Sequence, residues 1–313
     1  MLPYFPFKAG DFSMTLGTQA LGTRNLIDID QHYHTELALK NELLVHNHQR
    51  FFQALSNTQA LQWEVLEIIL PSIARSYPEH FELTIGDHNW TWQNRLLAET
   101  TQFIPGDLDS LPLAPLDWLG RQIQEDLLIL SGTKEDGMPL VAGHLCFPNA
   151  WCLDDKMTLP FLAIHHPVPL FMTAVGHPAY LLLERLKTDR PVWRINWSLV
   201  TTAQLSLTPD VVQQGKLHHH TMIPANIGNN CFVRVEKQTL LRLPRTNAIL
   251  FTVHTYREPI ASVIETPGHA QRIAHTIRTS PDELLDYKGI TAFKDVLLDY
   301  LDANLQSNPP QYL

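Results

Sequence analysis

Cysteine is scarce in this chain. Among 313 residues there are three, Cys146, Cys152 and Cys231, too few for a disulfide-stapled scaffold. The pair at 146 and 152 also lacks the close spacing of a structural zinc site. Reduced, mostly buried thiols are expected. Positive charge is in deficit as well: 23 Lys and Arg stand against 32 Asp and Glu, a formal net charge of −9. That balance offers no general attraction to phosphate backbones or anionic membranes, and it suits a cationic small molecule or a basic protein partner. Long apolar runs are missing, since no uncharged stretch approaches the ~20 residues needed to cross a bilayer. The opening "MLPYFPFKAG" has no basic leader with an apolar segment behind it. The expectation is a soluble cytoplasmic protein that binds neither nucleic acid nor membrane. Also absent are a Gly-rich strand-to-helix turn, a phosphate-loop lysine, a nucleophile elbow and any internal repeat, which removes dinucleotide, nucleotide and serine-hydrolase chemistry from the first rank.

What is present is enough apolar residue, 44%, for a sizeable core in one large domain or in a core with helical extensions. The stretch "IDIDQHYHTELALKNELLVHNHQRFFQAL" is rich in helix formers, with Asp30 as a cap. In "ALQWEVLEIILPSIARSYP", Leu61, Val65 and Ile68 form one stripe of a second helix that ends or kinks at Pro71. A turn-rich passage, "TQFIPGDLDSLPLAPL", marks a junction near residue 116, and "DWLGRQIQEDLLIL" after it starts as a helix. From "MPLVAGHLCFP" onward the texture becomes short branched apolar runs, which predict strands.

In "VWRINWSL" alternation puts Val192, Arg194, Asn196 and Ser198 on one face and Trp193, Ile195, Trp197 and Leu199 on the other. In "CFVRVEKQTL" it groups Phe232, Arg234 and Glu236, so that Arg234 and Glu236 are set to pair. "AILFTVHTY" is a further strand. The region "TPDVVQQGKLHHHTMIPANIGNN" reads as an extended loop. Three helices, broken at Ser-Pro and Lys-Gly, close the chain. The fold class is α/β, of the α+β kind, with residues 1–116 mainly helical, 117–266 as the core and 267–313 as a helical extension.

Candidate chemistry centres on "PFLAIHHPVPLF". If "FLAI" is extended, His165 and His166 point to opposite faces, and Pro167 and Pro169 stiffen the exit. One imidazole is then free to bind iron or zinc; the alternative is a structural hydrogen bond or plain exposure. The "HYH" and "HNH" histidines and the "LHHHT" tract have no accompanying ligand pattern and are read as surface or packing residues. Arg194, Arg234 and Glu236 either bind a ligand or support the sheet, and Trp193, Trp197, Trp151 and Phe147 either wall a cofactor or fill a core.

Taken in order, "IDIDQHYHTELALKNELL", "QEDLLIL", "LVAGHLCFPNAWCLDDKMTLPFLAIHHPVP", "VWRINWSL", "FVRVEKQTLLRLPRTNAILFTVHTY" and "LLDYKG" resemble the haem-dependent oxidative N-demethylase family. The opening "PFKAGDFSMTLGTQAL" resembles it only loosely, and His166 stands where smaller residues are more usual. The resemblance implies haem b, with its iron, in a PAS-like antiparallel sheet core flanked by helical additions. It also implies oxygen-dependent demethylation of a small secondary amine, with electrons from NADPH through a separate flavin and iron–sulfur reductase. Within it His165 is the haem-iron ligand, while Arg194, Asn196, Trp197, Arg242 and Arg245 are cofactor-binding. Glu236 and Arg234 are catalytic, Glu236 facing the amine or a proton network. A PAS-like haem or small-ligand sensor and a non-catalytic structural subunit are the competing readings.

Overall fold

The computed structural model describes residues 2–216 and 222–307. Among these residues ten strands run in chain order as β1 (Gln19–Ala20), β2 (Phe52–Ala54), β3 (Phe81–Ile85), β4 (Trp90–Asn94), β5 (Glu99–Phe103), β6 (Asp126–Leu130), β7 (Leu140–His144), β8 (Val192–Val200), β9 (Phe232–Arg242) and β10 (Ile249–Pro259). Seven of them form one antiparallel sheet in the order β1-β8-β9-β10-β6-β7-β2, and β3-β4-β5 form a separate antiparallel meander. The molecule is thus the expected mixture of antiparallel sheet and helix. Both edges of the main sheet, β1 and β2, come from the first 116 residues.

The helices are α1 (Tyr33–His46), α2 (His48–Phe51), α3 (Gln59–Ser76), α4 (Pro115–Gly120), α5 (Phe161–His165), α6 (His177–Arg185), α7 (Pro209–Lys216), α8 (Pro224–Asn230), α9 (Ile260–Val263), α10 (His269–Thr279), α11 (Asp282–Tyr287) and α12 (Lys294–Ser307). Three sequence expectations change here. Pro71 neither ends nor visibly breaks α3, which continues to Ser76 because Ile69, Leu70 and Ile73 bury its second half in the core. The extended loop contains α7 and α8, both opening on proline, whose fixed φ suits a first helical turn; the "LHHHT" tract lies outside the described residues. Asp30 is not the cap of α1: His32 takes that position, and the Asp30 carboxylate accepts the His32 N–H and engages His254 instead.

Alternation along β9 and β10 decides what each face of the main sheet meets. Val233 and Val235 pack under the C-terminal helices with Ile273, Ile277 and Leu297, while Leu241 and Leu250 pack with α3 and the meander. The opposite face carries Arg234, Glu236, Gln238 and Leu240. Leu240, with Leu128 and Leu130 of β6, packs against Leu183 and Leu186 of α6 and the turn after it. This second face is only partly filled.

Candidate active site

A cavity of about 1500 Å³ lies over that partly filled face, between β8, β9, β10 and β6 on one side and the 147–183 segment on the other. The N-terminal segment from Pro3 to Gln19 borders it as well. Trp151, Phe147, Phe251 and Leu240 give it apolar wall, and both faces of β8 reach it, because the outer strand β1 covers only Val192 and Trp193. The four aromatic residues singled out from the sequence, Trp193, Trp197, Trp151 and Phe147, all border this space.

His165 borders the cavity from α5. The expectation of an extended "FLAI" is corrected: these residues are helical, and His166 has φ −54° and ψ −36°, the helical region, despite the proline that follows. The helical turn has a chemical consequence. It carries the His165 ring back over its own first residue, where Nδ1 lies 2.9 Å from the Phe161 carbonyl oxygen. Only a protonated Nδ1 can make that bond, so Nε2 keeps its lone pair. The ring stacks on Phe171 at 4.5 Å and 15°, and leans on Phe161 at 4.6 Å. Phe171 opens a π-helical turn, Phe171–Gly176, entered through Leu170 in a left-handed conformation with φ +63°. Burial pulls the imidazolium down to about 4, with the Phe161 carbonyl opposing and Arg194 and Lys156 assisting. His165 is therefore neutral near pH 7. His166 touches the same space but is exposed.

Across the cavity, sheet register joins residues that alternation had only placed on a common face. Asn196 stands opposite Glu236, and Arg194 opposite Gln238. Asn196 Nδ2 donates to Glu236 Oε2 at 3.1 Å, Gln238 Nε2 donates to the same oxygen at 3.0 Å, and Arg194 Nη1 donates to Gln238 Oε1 at 3.3 Å. The buried Nε of Arg194 has no partner among the described residues. Burial pulls the Arg194 guanidinium down, against the charge of Glu236.

Arg234 shares the face of Glu236 but does not border the cavity. Its guanidinium donates to the Leu205 carbonyl at 2.7 Å, to the Phe147 carbonyl at 2.5 Å and to Glu236 Oε1 at 3.4 Å. It thus ties two loops to the sheet. Arg242 and Arg245 are also placed elsewhere. Arg242 donates to the backbone oxygens of Leu186, Asn247 and Leu183, and Arg245 is a surface residue paired with Glu67 at 2.7 Å. The structure therefore assembles His165, Arg194, Asn196, Trp197 and Glu236 around one space and leaves the other three arginines outside it.

Sequence reasoning missed polar residues of this site, Gln238 and Lys288 among them. Gln238 is simply the next residue on the Arg234–Glu236 face, and alternation would have found it. Lys288 lies in the quoted "LLDYKG" motif and borders the cavity from the end of α11, donating to the Trp197 carbonyl at 2.7 Å. The N-terminal histidines behave as expected: His32, His34 and His46 are exposed, and His48 bonds the Asp117 carboxylate at 2.6 Å.

A neutral, oriented imidazole facing apolar walls and a polar sheet can present one nitrogen to a metal held within a hydrophobic ligand. Residues 17–298 match a family model described as haem-dependent oxidative N-demethylase, alpha subunit-like.

Proposed function

The chain belongs to this haem-dependent oxidative N-demethylase alpha-subunit-like family, and from that membership we propose that the cavity holds haem b and removes a methyl group from a small secondary amine. The residues present fit the group. Haem needs a ligand nitrogen of fixed orientation, apolar walls for the macrocycle and cations for its two carboxylates. His165 offers Nε2 with Nδ1 bound to Phe161, Trp151, Phe147 and Phe251 offer wall, and Arg194 has an orphaned buried donor. At about 1500 Å³ the space also exceeds the roughly 300–1,000 Å³ of ordinary small-ligand pockets. A macrocycle and a small substrate can share it. The antiparallel sheet beneath supports a PAS-like core.

When bound, haem supplies the oxygen activation and electron transfer that no side chain of this chain can perform. The protein's part is ligation, exclusion of water and orientation. His165 holds the iron side. Asn196 and Gln238 fix the Glu236 carboxylate through Oε2, while Oε1, which among the described residues accepts only the long 3.4 Å bond from Arg234, retains capacity for an amine N–H. Insertion of one oxygen atom of O2 into a methyl C–H bond gives a carbinolamine, which collapses to formaldehyde and the demethylated amine. The second oxygen atom leaves as water, consuming two electrons and two protons. The electrons come from a separate flavin and iron–sulfur reductase fed by NADPH.

The observation that carries this reading is His165, locked through Nδ1 at the wall of a cavity large enough for the cofactor. Haem titration of the purified protein should give a Soret band, and His165→Ala should abolish or strongly alter it. An unchanged spectrum in the variant would reject His165 as ligand. Haem binding without amine-dependent oxygen uptake, in the presence of competent reductase, would favour a sensor.

A further inference from the structure

Five charged residues border the cavity from the sheet and the adjoining end of α11: Asp126, Arg194, Glu236, Asp286 and Lys288. Asp286 is exposed at the rim, and the two anions of the sheet are already matched. Asp126 accepts the N–H groups of Cys146 and Phe147 and sits 3.8 Å from the buried Lys40 ammonium. Glu236 is paired with Arg234 at 3.4 Å and accepts from Asn196 and Gln238. Arg194 and Lys288 are then two cations with no carboxylate of their own. Arg194 leaves Nε unpartnered, and among the described residues Lys288 donates only to the Trp197 carbonyl.

The chain also fixes where the Lys288 ammonium stands. Lys288 caps α11, and Gly289 follows it with φ +68°, a left-handed value that glycine accepts without strain. Gly289 N–H then bonds the Asp286 carbonyl at 2.9 Å and Ile290 N–H bonds the Leu285 carbonyl at 2.9 Å, with Leu285 and Ile290 both buried in the C-terminal core. This paired closure is the Schellman arrangement. It directs the Lys288 side chain over the free edge of β8, where β1 has stopped, and its ammonium sits 4.4 Å above the Trp197 ring. Burial pulls the ammonium down to about 8, with Glu236 opposing and Arg194 adding to the fall. A cation held in such surroundings gains from an anion brought to it.

We propose that Lys288 and Arg194 together form an anion subsite of the cavity, which takes a carboxylate of the bound porphyrin. The inference rests on the haem reading above and adds to it the residue that anchors the cofactor's acidic edge. Lys288 is a binding residue in this account, and its contact is to a carboxylate oxygen through the ammonium protons not used on Trp197.

The test compares haem with haem dimethyl ester, in which both carboxylates are blocked. Binding of each to the apoprotein is followed by Soret titration in wild type, Lys288→Met and Lys288→Arg. Loss of one charge-assisted hydrogen bond should weaken haem binding to Lys288→Met on the order of tenfold to a hundredfold. Ester binding should be unchanged, and Lys288→Arg should recover most of the loss. Equal weakening of haem and ester would assign Lys288 to packing on Trp197 and overturn the proposal, as would an unaltered haem affinity. Wild type is informative without any variant: haem must bind more tightly than its ester, and equal affinities would also overturn it. Should wild type bind neither compound, the haem reading itself falls. Normal haem binding with a silent Lys288→Met removes only the subsite.

Discussion

His254 should make the stability of this protein depend on alkaline pH in a direction that can be worked out. Its ring lies on the sheet face opposite the cavity, 1% exposed, with Nδ1 3.0 Å from Glu125 and Nε2 3.3 Å from Asp30. Burial alone would lower its proton affinity, but the Glu125 charge and the hydrogen bonds to Asp30 and Glu125 outweigh it and raise the value from 6.5 to about 10. A folded value above the unfolded one stabilises fully below the unfolded 6.5, and that contribution is lost as pH climbs through about 10. At about 1.4 kcal/mol per pH unit the whole window is worth about 5 kcal/mol. Lys288, depressed to about 8, has the opposite sign over part of the same window, so the wild-type curve alone mixes the two. His254→Gln isolates the term. Denaturant unfolding of both proteins from pH 7 to pH 10 should show the gap between them closing by about 1.4 kcal/mol per pH unit. A gap constant to within about 0.5 kcal/mol across that range would refute the doubly paired imidazolium.

Two further substitutions follow from packing and charge. Gly120 sits in α4 directly against the buried His144 ring, so a Cβ there collides with that ring. Gly120→Ala should cost about 1–3 kcal/mol by overpacking, although alanine is the better helix former by about 1 kcal/mol; a gain in the denaturation midpoint would show that the ring is free to move. Arg234→Met leaves Glu236 without its buried counter-charge and the Leu205 and Phe147 carbonyls without their Arg234 donor. Its expected cost is about 3–5 kcal/mol, read by urea unfolding, and a loss below about 1 kcal/mol would contradict the anchoring role given to it.

Much of the site was legible because alternation in a strand is a local property. "VWRINWSL" and "FVRVEKQTL" place Arg194 with Asn196 and Arg234 with Glu236 whatever lies around them, and those strands formed where expected. The Ser-Pro and Lys-Gly breaks likewise separated α10, α11 and α12, since proline and left-handed glycine act within a few residues. The histidine pair was less legible. "FLAI" is short and apolar, a pattern shared by strand and buried helix, and its helical form is what sends Nδ1 of His165 to Phe161.

By itself, then, the sequence determined the family, the α+β character, the strand faces and, among the described residues, the absence of a helix long and apolar enough to cross a membrane. Only the tertiary structure decided which of five candidate arginines and glutamates meet in one space. Arg234, Arg242 and Arg245 look equivalent to Arg194 along the chain, yet their donors are consumed by carbonyls and carboxylates many residues away. Lys288 reaches the cavity from the end of a helix 91 positions beyond Trp197, whose carbonyl it meets at 2.7 Å. Periodicity is set by near neighbours. Register, charge matching and the empty volume they enclose depend on contacts between distant segments, which no short stretch of residues encodes.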